Sequence, residues 1–170
     1  MRRNSDLQVI LQPIVLNEEK HDLFDKHYIG RFNEYNPITV FLRNDSAVAP
    51  SEGVEISVYH KGRLVACSTM HLGREAVSST YAFYDPFETQ RSLGIFTMLL
   101  EIDFAIRQGK RFFYPGYIYD KRSRMDYKRN FYGMEYYDWN GVWTPFERGV
   151  TPVIPDIWPQ TAGEEVGSSQ

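Results

Sequence analysis

Alternation of apolar and polar positions, broken at regular intervals by Pro, Gly and Asn, divides the chain into short elements. Leu7 to Leu16 is rich in branched aliphatics, but Pro13 interrupts it, so an edge strand or extended arm is expected rather than a central strand. From Asn17 to Tyr35 the residues Leu23, Phe24, His27, Tyr28, Arg31 and Phe32 recur at helical spacing. Asn17-Glu18-Glu19 supplies a start signal and Asn36-Pro37 a stop, which together predict an amphipathic helix. Strand-like runs follow at Ile38 to Leu42, Val54 to Tyr59 and Arg63 to Met70, the last two joined as a hairpin through His60-Lys61-Gly62. Val77 to Tyr84 is a further β-branched and aromatic strand stopped by Asp85-Pro86, with a loop over Phe87 to Ser92.

Ile95, Leu99, Ile102 and Ile106 lie on one helical stripe, which Phe96, Met98, Leu100 and Phe104 widen until Thr97, Glu101 and Gln108 are left as the polar side. Such a helix is expected to be largely buried against a sheet. Gly109 ends it. A strand from Arg111 to Tyr114 leads into Pro115-Gly116-Tyr117-Ile118-Tyr119, then come a short helix over Ser123 to Asn130 and a final strand or hairpin from Tyr136 to Phe146 turned by Asn140-Gly141. From Gly149 onward Pro152, Pro155 and Pro159 predict an extended or disordered tail, with Ile154, Ile157 and Trp158 as candidates for docking on the core. The expected organisation is therefore one α+β domain over 1–148, a mixed, mostly antiparallel twisted sheet flanked by helices, and a tail over 149–170. That order of elements is the order of GNAT-like acyltransferase domains.

Composition narrows the chemistry. A net charge of −3 excludes binding of nucleic acid by bulk electrostatics, so any RNA contact is local. The single cysteine, Cys67, excludes an intramolecular disulfide or a cysteine metal cluster and is expected to be a small buried hydrophobe in a reducing compartment. The four histidines show no ligand spacing, so no metal site is expected. No membrane span or cleavable leader is read, and the expected location is the cytoplasm. Nucleophile-elbow, phosphate-loop and dinucleotide motifs are absent from the sequence.

The motifs that carry chemistry run in order: Ser78-Ser79-Thr80-Tyr81-Ala82-Phe83-Tyr84-Asp85-Pro86, Arg91-Ser92-Leu93-Gly94, Glu101-Ile102, Gly116-Tyr117 and Met125-Asp126-Tyr127-Lys128. Together they resemble the C-terminal catalytic domain of the arginyl-tRNA–protein transferases. Two local differences stand out: Pro115 before Gly116-Tyr117 where the family tends to have Leu, and the basic run Lys121-Arg122-Ser123-Arg124 where a small residue is usual. Family members also carry an N-terminal cysteine-bearing region. With Cys67 alone, this chain is expected to be a standalone form lacking it.

The resemblance implies transfer of an amino acid, arginyl or leucyl, from a charged tRNA to the α-amine of a protein beginning with Asp or Glu. The charged tRNA is then a co-substrate and no other cofactor is needed; the expected partners are the acceptor end of that tRNA and a protein or peptide N-terminus. Tyr117 and Tyr119 are candidates to hand a proton to the departing ribose hydroxyl, and Ser79, Tyr84, Asp85, Arg124, Tyr127 and Lys128 to hold the substrates. Among these, Lys128 and Arg124 face the acidic acceptor and Asp85 orients the donor. Arg91, Ser92 and Gly94 are candidates for phosphate, because a loop leading into a helix presents unpaired N–H groups.

Alternatives remain open. Acetyl-CoA-dependent N-acetyltransferases show Gln/Arg-x-x-Gly-x-Gly/Ala at this turn; Arg91-x-x-Gly94 fits, but Phe96 fills the last small position, which argues against CoA. A non-catalytic module that binds acidic N-termini is the third reading. The segment Asp120 to Arg129, with five cations against two acids and so locally +3, is either a phosphate- or carboxylate-receiving patch or a solvated helix face. Ser92 also reads as a plain helix N-cap.

Overall fold

The computed structural model describes residues 2–42, 52–119 and 123–146. The tail expected from 149 and the cations Lys121 and Arg122 lie outside the described residues. The chain divides into two compact units, Met1–Gly116 and Tyr117–Gln170.

The first unit is built on a five-stranded sheet in which β1 (Gln8–Pro13), β2 (Glu52–His60), β3 (Arg63–Leu72) and β4 (Ala76–Tyr84) run antiparallel in that order, and β5 (Phe112–Tyr114) closes it parallel to β4. The α+β class and the mixed, mostly antiparallel sheet are as expected. Pro13 sits where it can be tolerated, at the end of the edge strand β1 opposite Val54. The β2–β3 hairpin turns through Lys61 and Gly62, both at positive φ (50° and 78°), the backbone of a type I′ turn that matches strand twist.

One helix covers each face. The α1 helix (Glu18–Phe32) starts where Asn17 accepts the Lys20 N–H at 3.0 Å, and it ends at Asn33 in the left-handed conformation, a turn before the expected Asn36-Pro37 stop. It buries Leu23 and Phe24 against Leu64, Cys67 and Phe83, with Ile38 and Leu42 closing the layer. The α2 helix (Leu93–Arg107) packs Leu93, Phe96 and Ala105 on Val54, Ile56, Val58, Ala66, Met70 and Val77 on the other face. A buried ion pair between Lys20 and Glu55, joined by hydrogen bonds to Glu55 from Gln12 (2.7 Å) and Ser57 (3.0 Å), ties α1 and β1 to β2.

Two expectations are corrected. Ile38 to Leu42 is not a strand: Ile38–Val40 is a 3₁₀ turn. Ile38 and Leu42, four residues apart, are both buried while Val40 between them is exposed, so the core selects a helical spacing over β propensity. The polar side of α2 is also reversed. Thr97 and Glu101 face inward at 1 % exposure each, whereas Ile95 and Ile106 face outward at 42 % and 69 %. A helix apolar on nearly all sides has no periodicity strong enough to fix its inner face, and the bulk of Leu93, Phe96 and Ala105 on the sheet decides the rotation.

The second unit is small. A 3₁₀ turn (Asp126–Asn130) replaces the short helix expected over Ser123 to Asn130, and the hairpin pairs β6 (Glu135–Tyr137) with β7 (Trp143–Pro145) as expected. Asp138 accepts the N–H groups of Asn140 (2.8 Å) and Val142 (3.0 Å), which with Gly141 at φ 99° fixes the turn. Among the described residues no helix is long and apolar enough to cross a membrane.

Candidate active site

Parallel pairing between β4 and β5 covers only Ala76, Val77 and Ser78. Beyond Ser78, β4 continues for six residues to Tyr84 with no described strand on that edge, and beyond Tyr114 the chain leaves the sheet. The strands thus part company at Ser78 and Tyr114. At the same place the register with β3 shifts, Met70 opposing Ser79 and Thr69 opposing Tyr81, so Thr80 is the extra residue of a bulge that re-aims the strand. Ser79, half-buried, stands at the point where the edge opens.

At the far end of β4 the candidates Tyr84 and Asp85 meet one face of α1, and Gly94, in the turn that also holds Arg91 and Ser92, lies against the Tyr84 ring. The His27 ring packs edge-on to Tyr84 at 4.6 Å, and its Nδ1 lies 2.9 Å from the Tyr84 carbonyl oxygen and 3.2 Å from the Tyr84 N–H, so either tautomer finds a partner. Burial pushes the His27 pKa down to about 4, the Tyr84 carbonyl opposing and the nearby Arg31 charge adding to it; the ring is therefore neutral at pH 7. Arg31 lies over the Tyr84 ring and donates to its hydroxyl.

The Tyr84 ring in turn covers the start of α2. A Cβ on Gly94 would lie 2.8 Å from Tyr84 Cε1, so glycine is required there by an aromatic ring. Gly30 is held the same way, 2.7 Å from a Pro86 ring carbon. Asp85, fully buried, accepts from Lys26 (2.7 Å) and Arg63 (2.5 Å) on one oxygen and from the Phe87 N–H (3.0 Å) on the other. Burial alone would raise its pKa, but the two cations outweigh it and hold the carboxyl below the usual carboxylate range.

The turn into α2 is anchored from the N-terminus. Arg91 grips Asp6 with two hydrogen bonds of 2.9 Å and Glu88 with one of 3.2 Å, while Arg3 and Asn4 donate to the carbonyls of Gln90 and Arg91. The Arg91 guanidinium holds the Asp6 carboxyl down to about 2. A cleft of about 710 Å³ lies against these residues, lined by Arg3, Asp6, Phe87, Glu88, Thr89, Gln90 and Arg91. Ser92 occupies the N-cap position but in the left-handed region (φ 51°) with no side-chain cap, so the plain-cap reading does not hold. Phe96 points into the core, so its bulk does not fill the turn; the Tyr84 ring does.

In the second unit the candidate tyrosines are exposed, Tyr117 at 75 % and Tyr119 at 58 %. Their backbone is clamped from the 3₁₀ turn: Lys128 Nζ donates to the Tyr117 carbonyl at 3.2 Å and Arg129 donates to the Tyr119 carbonyl. Lys128 is buried, which removes the solvated-face reading for this residue. Asp126 organises the turn by accepting from the Ser123 N–H (3.1 Å) and hydroxyl (3.2 Å); of its neighbours in sequence, Arg124 is exposed and Tyr127 partly buried.

Ser79, Tyr84, Asp85, Arg91, Ser92 and Gly94 thus belong to the first unit, and Tyr117, Tyr119, Arg124, Tyr127 and Lys128 to the second. Missed from sequence were Lys26, His27, Arg31, Arg63 and Asp6. A glycine inside a helix, Gly30, flanked by cations at 26 and 31, was the available signal of a close approach. Among the described residues no group of three or more His, Cys, Asp or Glu is placed to hold a metal.

Residues 17–138 match the family described as "Arginine-tRNA-protein transferase, C terminus". Curated relatives are named aspartate/glutamate leucyltransferase: one of Xanthomonas axonopodis pv. citri is 39% identical over 84 residues (48% of this chain, 34% of the relative). Another, of Pseudoalteromonas atlantica, is 29% identical over 136 residues (77% and 58%). The chain therefore spans between about a third and three fifths of these relatives. Solved structures of similar backbone include a possible acetyltransferase of Clostridium difficile (TM-score 0.48, 11% identity, covering 76% of this chain and 93% of that one) and a GNAT family acetyltransferase of Staphylococcus aureus (TM-score 0.47, 12% identity, 69% and 96%).

Proposed function

The chain belongs to the arginine-tRNA-protein transferase family through its C-terminal domain, and from that premise we propose that it transfers an amino acid, arginyl or leucyl, from the 3′ ester of a charged tRNA to the α-amine of a protein beginning with Asp or Glu. We take residues 1–148 as the domain that carries this reaction and the cytoplasm as its setting. The observation that carries the reading is the opened edge of β4 beyond Ser78, on the strand whose last residue, Tyr84, lies against Gly94 at the start of α2.

The chemistry asks little of a base. The α-amine has a pKa of about 7.7–8.0, so a useful fraction is neutral at physiological pH. Its lone pair attacks the ester carbonyl carbon, and the negative charge moves to the carbonyl oxygen, where N–H groups of the unpaired strand edge are suited to receive it. Collapse breaks the bond to the ribose 3′ oxygen and leaves a peptide bond. The nitrogen sheds its extra proton as the peptide bond forms and the departing oxygen takes one up, a transfer that the exposed hydroxyls of Tyr117 or Tyr119 are suited to relay, so that no net proton is consumed. Arg91 and the N–H groups around Ser92 and Gly94 serve the tRNA phosphates in this reading, displacing Asp6 from Arg91. Ser79, Arg124 and Tyr127 serve the substrates.

Asp85 and Lys128 are given holding duties. Asp85 fixes the loop after β4 through Lys26 and Arg63, and Lys128 fixes the Tyr117 backbone.

The test is incubation with arginyl-tRNA and, separately, leucyl-tRNA, each with a peptide starting in Asp, read by intact mass. A gain of one residue on the peptide α-amine is expected with at least one donor. An unmodified peptide with both, under conditions where a full-length relative modifies it, overturns the proposal.

A further inference from the structure

The second unit presents rings that the reaction above does not use. Tyr137 and Trp143 face each other across β6 and β7 with ring centroids 5.4 Å apart, and Trp139 at the turn packs edge-on to Tyr137 at 5.6 Å. Despite this clustering, Trp139 and Trp143 keep 52 % and 49 % of their surface in solvent. Trp139 also sits at φ 64°, in the left-handed region that an aromatic side chain rarely enters, and Asp138 holds the turn that imposes it. A strained backbone that keeps an indole in water is not explained by packing.

The exposed large hydrophobic side chains of this unit are of one kind. Tyr117, Tyr119, Tyr132, Tyr137, Trp139 and Trp143 are flat rings with a polar atom, and Val142 is the single aliphatic among the described residues. Cations belong to the same unit: Arg124 is exposed, and Arg129, with Asp126 3.5 Å from its Nε, donates to the Tyr119 carbonyl and lies over the Phe146 ring at the base of β7. Exposed rings in a unit that also carries the exposed Arg124 suit single-stranded nucleic acid, whose bases stack on any aromatic face while a guanidinium meets its phosphates.

We propose that the β6–β7 hairpin is a stacking platform for the unpaired nucleotides at the 3′ end of the charged tRNA. The dimensions agree: strands of three residues rise about 10 Å, the length of about three stacked nucleotides at roughly 3.4 Å each. Arg129 links the hairpin base to the backbone of Tyr119, so the platform and the proposed proton donors belong to one assembly. This rests on charged tRNA being the donor, as proposed above.

The test compares an RNA hairpin bearing a single-stranded 3′ extension of a few nucleotides with the same RNA ended blunt. Affinities are read from tryptophan quenching and from anisotropy of 5′-labelled RNA, with uncharged RNA and the full chain. The extension is expected to tighten binding by about tenfold or more. Trp139→Ala and Trp143→Ala are expected to remove most of that gain, and Trp139→Phe and Trp143→Phe to keep it. Equal affinity for the two RNAs, or an extension preference that survives both alanine substitutions, overturns the platform, as does quenching by an Asp-starting peptide and by neither RNA.

Turnover separates this from the transfer reaction. A modified peptide with an unchanged KM for the donor in both alanine variants sinks the platform alone, and extension-specific binding with no modified peptide sinks the reaction alone.

Discussion

Gly94 can be asked directly whether it serves a phosphate or a tyrosine. Glycine at the start of α2 admits a ligand's close approach to the backbone, but the structure supplies a second cause: a Cβ added at Gly94 would meet Tyr84 at 2.8 Å (Cε1), 3.4 Å (Cζ) and 3.5 Å (Oη). The ring has little room to retreat, being packed by His27 at 4.6 Å and covered by Arg31, which also holds its hydroxyl. Overpacking of this kind costs about 1–3 kcal/mol, against up to about 1 kcal/mol gained when alanine replaces glycine in a helix. Gly94→Ala is therefore expected to lose about 0–3 kcal/mol in urea unfolding followed by far-UV circular dichroism. In a Tyr84→Ala background the collision is gone and only the helical gain is left, so the same substitution should stabilise by up to about 1 kcal/mol. The coupling between the two positions then lies at about 1–3 kcal/mol. Equal costs in the two backgrounds would refute the packing account and return Gly94 to a ligand role.

Two further outcomes follow from groups the fold has buried. His27 drops from 6.5 to about 4, so the fold favours its neutral form: the stability this contributes is complete above pH 6.5 and is lost as pH falls toward 4, up to about 3 kcal/mol. His27→Gln should flatten the fall in urea midpoint across that window, and an unchanged fall would sink the assignment. Lys128, which holds the Tyr117 carbonyl, should behave as a positioning residue: Lys128→Met is expected to lower kcat about tenfold or more with little change in KM for the peptide, whether that peptide starts with Asp or with a neutral residue. A rise in KM confined to the Asp peptide would instead make Lys128 the contact for the acidic acceptor.

What could be read from the sequence divides along a physical line. Elements set by local chemistry were legible: Gly62 and Gly141 take the positive φ that glycine favours in the two hairpin turns, and Pro13 lies on an edge. Elements decided by burial were not. Ile38 to Leu42 has strand composition, and only the position of the core shows that residues 38 and 42 share a side. The inward Thr97 and Glu101 run against any rule about polar faces. At the site, motif order pointed to Tyr84, Asp85, Arg91 and Gly94, which do lie around one turn. Their partners on α1 and at Asp6 are 53 to 85 residues away in sequence, as in Arg31 with Tyr84 and Asp6 with Arg91, and no short-range pattern records such pairs.

The charged motif residues turn out to be the least available for chemistry. Asp85 is closed by two cations and a backbone N–H, Lys128 is buried under a carbonyl, and Arg91 is gripped by Asp6 and Glu88. What stays open among the described residues is a strand edge past Ser78 and the hydroxyls of Tyr117 and Tyr119. For hydrolysis of an amide that inventory would be poor, since a strong base or nucleophile is needed. An aminoacyl ester is already activated and its acceptor amine is partly neutral at pH 7, so acid–base assistance worth about 10²–10⁴ in rate is the smaller requirement. Orientation of two bound reactants contributes about 7–11 kcal/mol and is the larger one. A scaffold whose motif charges are spent on fixing loops and backbone, and whose open groups are N–H and phenol, is suited to the division the proposed reaction requires, in which the protein would position the ester and the amine and leave the reactivity to the substrates.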